Sequence, residues 1–351
     1  MVCRRSRVVG ASSKSTDRLM GARIGILGAG AVGARAARQL LTADPEAHVL
    51  LSDVDDAKLD GVVRSLGTRA AALIDGPLHD QGIDVLVVAT PCGHHLGPAR
   101  RAVDAGVSVV SSSDRIEDVE ALRGLDGEAR RAGVSVLTGV GFAPGMSCVL
   151  ASYGARRFDV VDEVHIAKVG TGGPACARQH HRALKTAARD WRDGEWLRRP
   201  GGSGRELVWF PEPVSGADCY RAALPDALLL RPAFLDATRI TARMAATRQD
   251  RFTSWLPMLS PPHADGDVGA VRVELRGRVG SAREIRILGA VERPSIGAAA
   301  VIGAAVDLLS GGRIDHGVRG LATAVDAAMF LRRVRDRGLA AQEFEGLADL
   351  R

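Results

Sequence analysis

A glycine-rich turn near the amino terminus has the spacing of a phosphate-binding turn. It follows an apolar run, residues 23–28, and precedes an alanine-rich segment that predicts a helix. In such a strand–turn–helix unit, the first glycine permits the tight turn, the second lets the backbone approach a pyrophosphate, and the third lets helix and strand pack closely. The predicted cofactor contacts in this turn are Gly28, Ala29, Gly30, Ala31, Val32 and Gly33.

A carboxylate follows the second apolar run. Residues 48–53 resemble a buried strand that ends at Asp53, twenty residues beyond Gly33. A carboxylate in this position accepts hydrogen bonds from the ribose hydroxyls of NAD and would repel the 2′-phosphate of NADP. No arginine directly follows Asp53, so the sequence predicts NAD as the cofactor, with NADP as the second possibility. A helix cap at Asp53 would also fit the pattern.

Apolar runs and helical segments continue to alternate up to about residue 150. Further strands are predicted at 84–90, 107–113 and 134–139, with helices at 97–105 and 114–132 between them. Continuously apolar strands are typical of parallel sheets that helices cover on both faces. The pattern therefore predicts a Rossmann-type, doubly wound α/β domain over residues 21–150.

Two loops of this domain lie where its ligands should bind. In doubly wound sheets the ligand lies beyond the carboxyl ends of the strands, and the loops after 84–90 and 134–139 are placed there. The second loop, GFAPGMS at 141–147, is rich in glycine and predicts a turn between cofactor and substrate. The candidate cofactor contacts in these loops are Thr90, Pro91, His94, Gly141 and Phe142. A surface or helix-capping role would explain His94 equally well.

The catalytic candidates lie in the second half of the chain. Only four lysines occur among 47 basic residues, and two of them, Lys168 and Lys185, flank the segment 171–174, Thr-Gly-Gly-Pro. His181 precedes Lys185 by four residues, so the two side chains share one face of a predicted helix. They form a plausible pair of proton donor and carboxylate anchor, with Lys168 as a third candidate. A solvated helix face is the alternative interpretation.

The second half is predicted to form an inserted α+β substrate and dimerisation domain over residues 151–312. Strands are expected at 161–170, 237–245, 270–279 and 283–291, the last two as a hairpin, and a helix at 177–188. An apolar helix begins at Pro294. A last helix, at about 320–337, lies in a C-terminal segment, 313–351, that is expected to pack back on the first domain.

Composition excludes several classes of partner. Of the formal charge of +6, a charge of +4 lies in residues 1–20, which are expected to be a disordered basic extension. The remaining charge is too small to predict nucleic-acid binding, and no apolar stretch without glycine or proline predicts a membrane span. Five cysteines without paired spacing, and no apolar leader in residues 1–20, predict reduced thiols in the cytoplasm and no metal site.

The chain resembles the saccharopine dehydrogenase-like family of NAD(P)-dependent oxidoreductases over about residues 21–345. The resemblance rests on the glycine turn and on segments 102–114 and 141–147, and more loosely on 169–174, 192–196 and 210–216. It implies hydride transfer at a carbon–nitrogen bond of a small amino or imino acid or a polyamine-like substrate, and a homodimer formed through the inserted sheet. The family usually has aspartate where this chain has Ala143, which leaves the substrate open.

Two other functions remain open from the sequence. The segment 89–95, ATPCGHH, also resembles sugar dehydrogenases of the glucose-fructose oxidoreductase-like type. That family places Glu-Lys-Pro after the next strand, where this chain has three serines and Asp114. A dinucleotide-binding sensor without catalytic activity is the third possibility.

Overall fold

The computed structural model describes residues 21–74, 76–256, 258, 263–264 and 266–344. The predicted extension at 1–20 lies outside the described residues, as do residues 345–351. The strands are β1 Arg23–Leu27, β2 His48–Ser52, β3 Ala70–Ala72, β4 Val85–Val88, β5 Ser108–Ser111, β6 Ser135–Leu137, β7 Val160–Val169, β8 Ala188–Arg192, β9 Glu195–Arg199, β10 Glu206–Trp209, β11 Gly216–Arg221, β12 Arg239–Ala245, β13 Gly269–Val279, β14 Ala282–Glu292, β15 Gly317–Arg319 and β16 Ala341–Phe344.

The helices alternate with the strands in the first part of the chain and are scattered through the second. They are α1 Ala31–Ala43, α2 Asp56–Leu66, α3 Leu96–Asp104, α4 Ile116–Arg123, α5 Asp126–Ala132, α6 Met146–Ala155, α7 Pro174–Lys185, α8 Asp226–Leu230, α9 Arg248–Thr253, α10 Pro294–Ser310, α11 Leu321–Ala324 and α12 Ala327–Asp336. None of the helices among the described residues is long and apolar enough to cross a membrane.

The first sheet confirms the predicted Rossmann-type fold. Its seven strands are all parallel and run in the order β15-β6-β5-β4-β1-β2-β3, which contains the order 3-2-1-4-5-6 of dinucleotide-binding sheets. All four residues of β4 are buried, because helices cover both faces of the sheet. The carboxyl ends of the central strands therefore open on one edge of this sheet, where ligands of such folds bind.

The second sheet is mixed and larger. Its main path runs β10-β11-β12-β7-β13-β14-β16, and β8 and β9 extend it beside β12. The predicted hairpin of β13 and β14 is present, with paired residues from Gly269 and Glu292 to Val279 and Ala282. The predicted strand at 237–245 is also present as β12, which runs parallel to β7 and antiparallel to β11. Alternation of apolar and polar residues does not distinguish these two directions.

Helix α10 joins the two halves. Of its 17 residues 13 are buried, and it packs against α1 and above β4 and β5 of the first sheet. The sequence analysis assigned this helix to the second domain, because its uniformly apolar surface predicts burial but does not indicate which sheet covers it. Helix α10 therefore packs on the first domain, and the boundary of the second domain at residue 312 stays a prediction.

The C-terminal segment returns to both sheets. β15 pairs in parallel with β6 at the edge of the first sheet, and α12 packs against α6 and α10. β16 instead pairs with β14 in the second sheet. The helix predicted at 320–337 is interrupted after α11, because Asp326 begins a new helix by accepting a hydrogen bond from the Met329 amide at 2.7 Å. Sequence analysis missed both strands, which have only three and four residues.

Candidate active site

The glycine turn has the geometry that its spacing predicts. Gly28 has a φ of +98°, and a β-carbon there would lie 2.6 Å from the Ala89 carbonyl oxygen. A β-carbon on Gly33 would lie 1.8 Å from the carbonyl oxygen of Gly28, so α1 packs directly on the turn. A β-carbon on Gly30 would project into open space, where the Lys58 Nζ, at 3.9 Å, is the one atom of the described residues within 4 Å.

The amino terminus of α1 is free to bind an anion. Its N-cap is Gly30, and no side chain caps this end of the helix. The first amide groups of a helix have no partner within the helix, and the helix dipole favours negative charge there. Gly28, Gly30, Ala31 and Val32 line the cleft beside this end, whereas Ala29 and Gly33 support it from behind. The residues present therefore fit the pyrophosphate of a dinucleotide.

Asp53 reaches the same cleft but already has hydrogen-bond partners. Its Oδ2 accepts from the Ala29 amide at 2.7 Å and from the Lys58 ammonium at 2.8 Å, and its Oδ1 accepts from the Asp55 amide at 3.2 Å. Burial opposes ionisation, but these bonds outweigh it and lower the pKa of Asp53. The helix cap of α2 is Asp55 rather than Asp53.

The loop after β4 contributes Thr90 and Pro91 to the cleft, but not His94. His94 is exposed and does not line the cleft. Its neighbour His95 is fully buried, with Nδ1 2.9 Å from the Ser111 Oγ and Nε2 3.0 Å from the Thr90 carbonyl oxygen. Burial lowers the pKa of His95. Neutral His95 therefore connects the loop after β4, through Thr90, to Ser111 at the end of β5.

The turn that follows β6 forms one wall of the cleft. The Met146 amide donates to the Gly141 carbonyl at 2.9 Å, and Gly145 has a φ of +121°, where a β-carbon would lie 2.2 Å from the same oxygen. Only glycine fits this closed turn. Gly141, Phe142, Ala143 and Pro144 all line the cleft, and Phe142 is wedged against α10 at Gly297.

A buried ion pair lies at the inner end of the cleft. Lys168, at the carboxyl end of β7, is 3% exposed, and its Nζ lies 3.5 Å from the Asp114 Oδ2. The same ammonium donates to the Ala143 carbonyl at 2.9 Å. Burial opposes the charge on Asp114, but Lys168 and His180 outweigh it and hold the pKa of this carboxyl well below its usual range. Asp114 is therefore ionised at neutral pH.

His180 completes this cluster from α7. Its Nε2 lies 2.9 Å from the Asp114 Oδ2 and 3.5 Å from the Cys176 Sγ. Burial alone would lower the pKa of His180, but Cys176 and the hydrogen bond to Asp114 raise it to about 9. His180 therefore carries a proton at neutral pH. With Lys168, Asp114 and Cys176 it forms one group of titratable side chains at the inner end of the cleft.

Two thiols border the same carboxylate. The Cys92 Sγ lies 3.2 Å from the Asp114 Oδ1, and burial raises the pKa of this thiol far above its usual range. The potential ligand atoms of Asp114, Cys176 and His180 all lie within 4.8 Å of one another, a spacing that a metal ion could bridge. The Lys168 ammonium, however, already supplies a positive charge to the same carboxylate oxygen. The group is therefore a network of ion pairs.

The structure does not bring His181 and Lys185 into the cleft. The His181 Nε2 donates to the Leu256 carbonyl at 2.8 Å, and Lys185 is exposed at the end of α7. The face of α7 that reaches the cleft instead carries Cys176 and His180, four residues apart. His181 and Lys185 do lie on one face of α7, as their spacing predicts, but that face is turned away from the cleft. Of the three catalytic candidates, only Lys168 lines the cleft.

The cleft has a volume of about 470 Å³ and lies between the two sheets. Sequence analysis did not assign roles to Asp114, His180 or Arg178, all of which line it. The position of Asp114 in the sequence could have indicated a role, because this residue follows β5 at the ligand-binding edge of the sheet. The residues from the second domain gave no such signal, because their approach to the cleft depends on how the two sheets pack.

Comparison with known proteins agrees with this geometry. Residues 22–139 match the family model GFO_IDH_MocA, described as "Oxidoreductase family, NAD-binding Rossmann fold". Apo saccharopine dehydrogenase (L-Glu forming) from Saccharomyces cerevisiae is 15% identical, covers 93% of this chain and 100% of its own, and superposes with a TM-score of 0.69. GenD2 from gentamicin A biosynthesis, solved in complex with NAD, is 16% identical over 96% of this chain and 100% of its own, with a TM-score of 0.50.

These likenesses confirm the predicted fold over nearly the whole chain, including the resemblance to saccharopine dehydrogenase at the level of the fold. The family match adds the activity class of the first domain, and the free helix terminus and glycine turn fit the cofactor it names. Residues 22–139 are therefore the NAD-binding Rossmann domain of an NAD(P)-dependent oxidoreductase.

Proposed function

We propose that this protein transfers a hydride at the carbon–nitrogen bond of a small amino or imino acid. The observation that carries the proposal is the cluster of Lys168, Asp114 and His180, which lies at the inner end of a cleft that begins at the glycine turn. A nicotinamide cofactor bound in this cleft supplies or accepts the hydride. The cluster would supply the other two requirements, a proton donor and an anchor for the substrate carboxylate.

Lys168 is the group best placed to exchange a proton with the substrate. An ammonium has three N–H groups, and two of those on Lys168 have partners in the Ala143 carbonyl and Asp114. The third is available to a ligand in the cleft, which Lys168 lines. Asp114 and Ala143 hold the ammonium in place, so the proton is presented from a fixed position.

The charge of the cluster favours an anionic substrate. The Lys168 ammonium and protonated His180 both line the cleft, and water is largely excluded around them, which strengthens their attraction for an anion. Arg178, on the exposed side of α7, lines the outer part of the same cleft and adds a second cation. A substrate carboxylate between these groups would direct the reacting carbon toward Lys168.

The proposal is tested by turnover. NADH oxidation would be followed with 2-oxo acids paired with ammonia or primary amines, and NAD reduction with amino acids, after a thermal-shift screen has identified stabilising ligands. We expect turnover with at least one carboxylate-bearing imine or amine. Turnover restricted to substrates without nitrogen would contradict the proposal.

Oxidation of a hydroxyl group is the second candidate, and the family match at residues 22–139 favours it. Sugar dehydrogenases of the glucose-fructose oxidoreductase-like type use a lysine after the strand that corresponds to β5, a place that Asp114 holds in this chain. Lys168 brings a lysine to the same end of the cleft from β7. Polyols and sugars in the same screen would distinguish the two reactions, because they carry no carboxylate for the cationic cluster.

We infer in addition that two copies associate through the outer face of the second sheet. This face carries Ile285, which is 56% exposed, beside half-buried charged groups such as Arg272 and Glu274, 2.7 Å apart. The resemblance to the saccharopine dehydrogenase-like family, which implies a homodimer formed through this sheet, supports the inference. The free thiols of the described residues, Cys92, Cys148, Cys176 and Cys219, support a reducing compartment such as the cytoplasm.

A further inference from the structure

Lys58 forms an ion pair with the predicted ribose-binding carboxylate, Asp53. Its Nζ donates to the Asp53 Oδ2 at 2.8 Å, and the side chain of Lys58 is 42% exposed, compared with 9% for that of Asp53. The two residues come from the first turn of α2 and the end of β2. The carboxylate is therefore fixed, whereas the ammonium lies on the open side of the pair and lines the cleft.

This pair changes what Asp53 implies for the cofactor. A lone carboxylate at the end of β2 repels a 2′-phosphate, and this repulsion is the usual basis for preferring NAD. Here the Lys58 ammonium neutralises the charge of Asp53. The Ala29 amide donates a hydrogen bond to one oxygen of this carboxylate, and the Asp55 amide donates to the other. Asp53 thus retains limited capacity to accept from ribose hydroxyls and exerts little net repulsion on an anion.

The position of Lys58 suits a phosphate on the adenine ribose. Its Nζ lies 3.9 Å from the place of a β-carbon on Gly30, so the ammonium lies over the phosphate-binding turn. The amino terminus of α2, an eleven-residue helix, lies beside it and favours negative charge. Asp55 caps this helix by accepting from the Lys58 amide at 3.0 Å, and Asp56 is exposed, so solvent screens their charge.

We infer that Lys58 is the residue that determines cofactor specificity, and that it lets this chain accept NADP as well as NAD. In the free protein the ammonium pairs with Asp53. When a 2′-phosphate is present, the ammonium pairs with the phosphate, and a ribose hydroxyl takes its place on Asp53. The inference rests on the proposed dinucleotide site but not on any substrate or catalytic residue, so binding alone tests it.

The experiment measures dissociation constants of NADH and NADPH, by fluorescence titration, for the full-length wild type and three variants. 2′,5′-ADP, which carries the 2′-phosphate without a nicotinamide, serves as a competitor probe. Lys58→Gln removes the charge, Lys58→Arg retains it, and Lys185→Gln is the matched control because Lys185 is an exposed lysine outside the cleft. The wild type should bind the two cofactors within about tenfold of each other, because one charge-assisted contact is worth about that factor.

Lys58→Gln should weaken NADPH and 2′,5′-ADP by about tenfold or more and leave NADH nearly unchanged. Lys58→Arg should restore NADPH binding, and Lys185→Gln should behave as the wild type. The inference is overturned if Lys58→Gln weakens both cofactors equally, or if the wild type binds NADPH more than about a hundredfold more weakly than NADH. If the wild type binds neither cofactor, the dinucleotide site itself is wrong.

Discussion

Lys168 and Asp114 come from different sheets, and their charged groups meet 3.5 Å apart at the end of the cleft. Asp114 follows β5 of the Rossmann sheet, and Lys168 closes β7 of the second sheet. The pair therefore links the cofactor domain to the inserted domain at the point where a substrate would contact both. Any change in how the two sheets pack would separate these charges.

Replacing Lys168 with methionine should remove activity without removing the cofactor. Methionine fills a similar volume and His180 still pairs with Asp114, so the fold should be retained, but no proton can be exchanged. Turnover of an identified substrate should fall by about 10²–10⁴-fold, the usual worth of a positioned acid or base. NADH affinity, measured by titration, should change little. Lys185→Met is the control. A comparable loss of turnover in that variant would contradict the assignment of proton exchange to Lys168.

Protonation of His180 should make the stability of the protein depend on pH. The pKa of His180 is raised from 6.5 to about 9 in the folded state, so its stabilising effect is complete below about pH 6.5 and is lost as the pH rises toward 9. The contribution of this proton to the free energy of unfolding is on the order of 3 kcal/mol, since one pKa unit corresponds to about 1.4 kcal/mol. Urea unfolding at a series of pH values between 6.5 and 9 measures it.

His180→Asn should lose this pH-dependent component of the unfolding free energy, and His181→Asn should retain it. The two histidines are neighbours on α7, but only His180 contacts Asp114. An unchanged slope in His180→Asn would show that its proton is not held by the cluster.

Two glycines of the turn should respond differently to alanine. Gly33→Ala places a β-carbon 1.8 Å from the Gly28 carbonyl oxygen, so α1 must move and the melting temperature should fall. Gly30→Ala meets no atom of the structurally described residues closer than 3.9 Å and should melt near the wild type. The added methyl group nevertheless occupies the place of the pyrophosphate, so NADH affinity should fall by about tenfold or more. Undiminished NADH binding by Gly30→Ala would place the cofactor elsewhere.

The outer face of the second sheet provides a test of assembly. If this face joins two copies, sedimentation should give twice the mass of the 36.9 kDa chain. Ile285→Asp should then shift the protein toward the monomer, because a charge would be buried in the interface. A monomer at micromolar concentrations of the wild type would rule the dimer out.

Local sequence patterns located the beginning of the first domain but missed β15 at the edge of its sheet. The strands of a parallel sheet are apolar throughout, and the glycine turn specifies its own backbone, so β1, α1 and β2 could be located from short segments. Asp53 was correctly located beside the turn. Its partner Lys58 was not anticipated, although the first turn of α2 returns that lysine to the end of β2.

The inner end of the cleft could not be predicted in the same way. Helix periodicity placed His181 and Lys185 on one face, and that relationship holds, but periodicity does not indicate which face of α7 meets the first domain. The structure turns Cys176 and His180 toward Asp114. Long-range contacts of this kind depend on the packing of two sheets whose sequences carry no signal about each other.

The most direct test compares NADH-dependent turnover of a carboxylate-bearing imine by the wild type and by the variants His180→Asn and His181→Asn. The two substitutions are chemically identical and lie on adjacent residues. We predict that His180→Asn lowers turnover by about a hundredfold, because it removes one of the two cationic partners of Asp114, and that His181→Asn retains wild-type turnover. Loss of turnover in His181→Asn with activity preserved in His180→Asn would contradict the proposed active site.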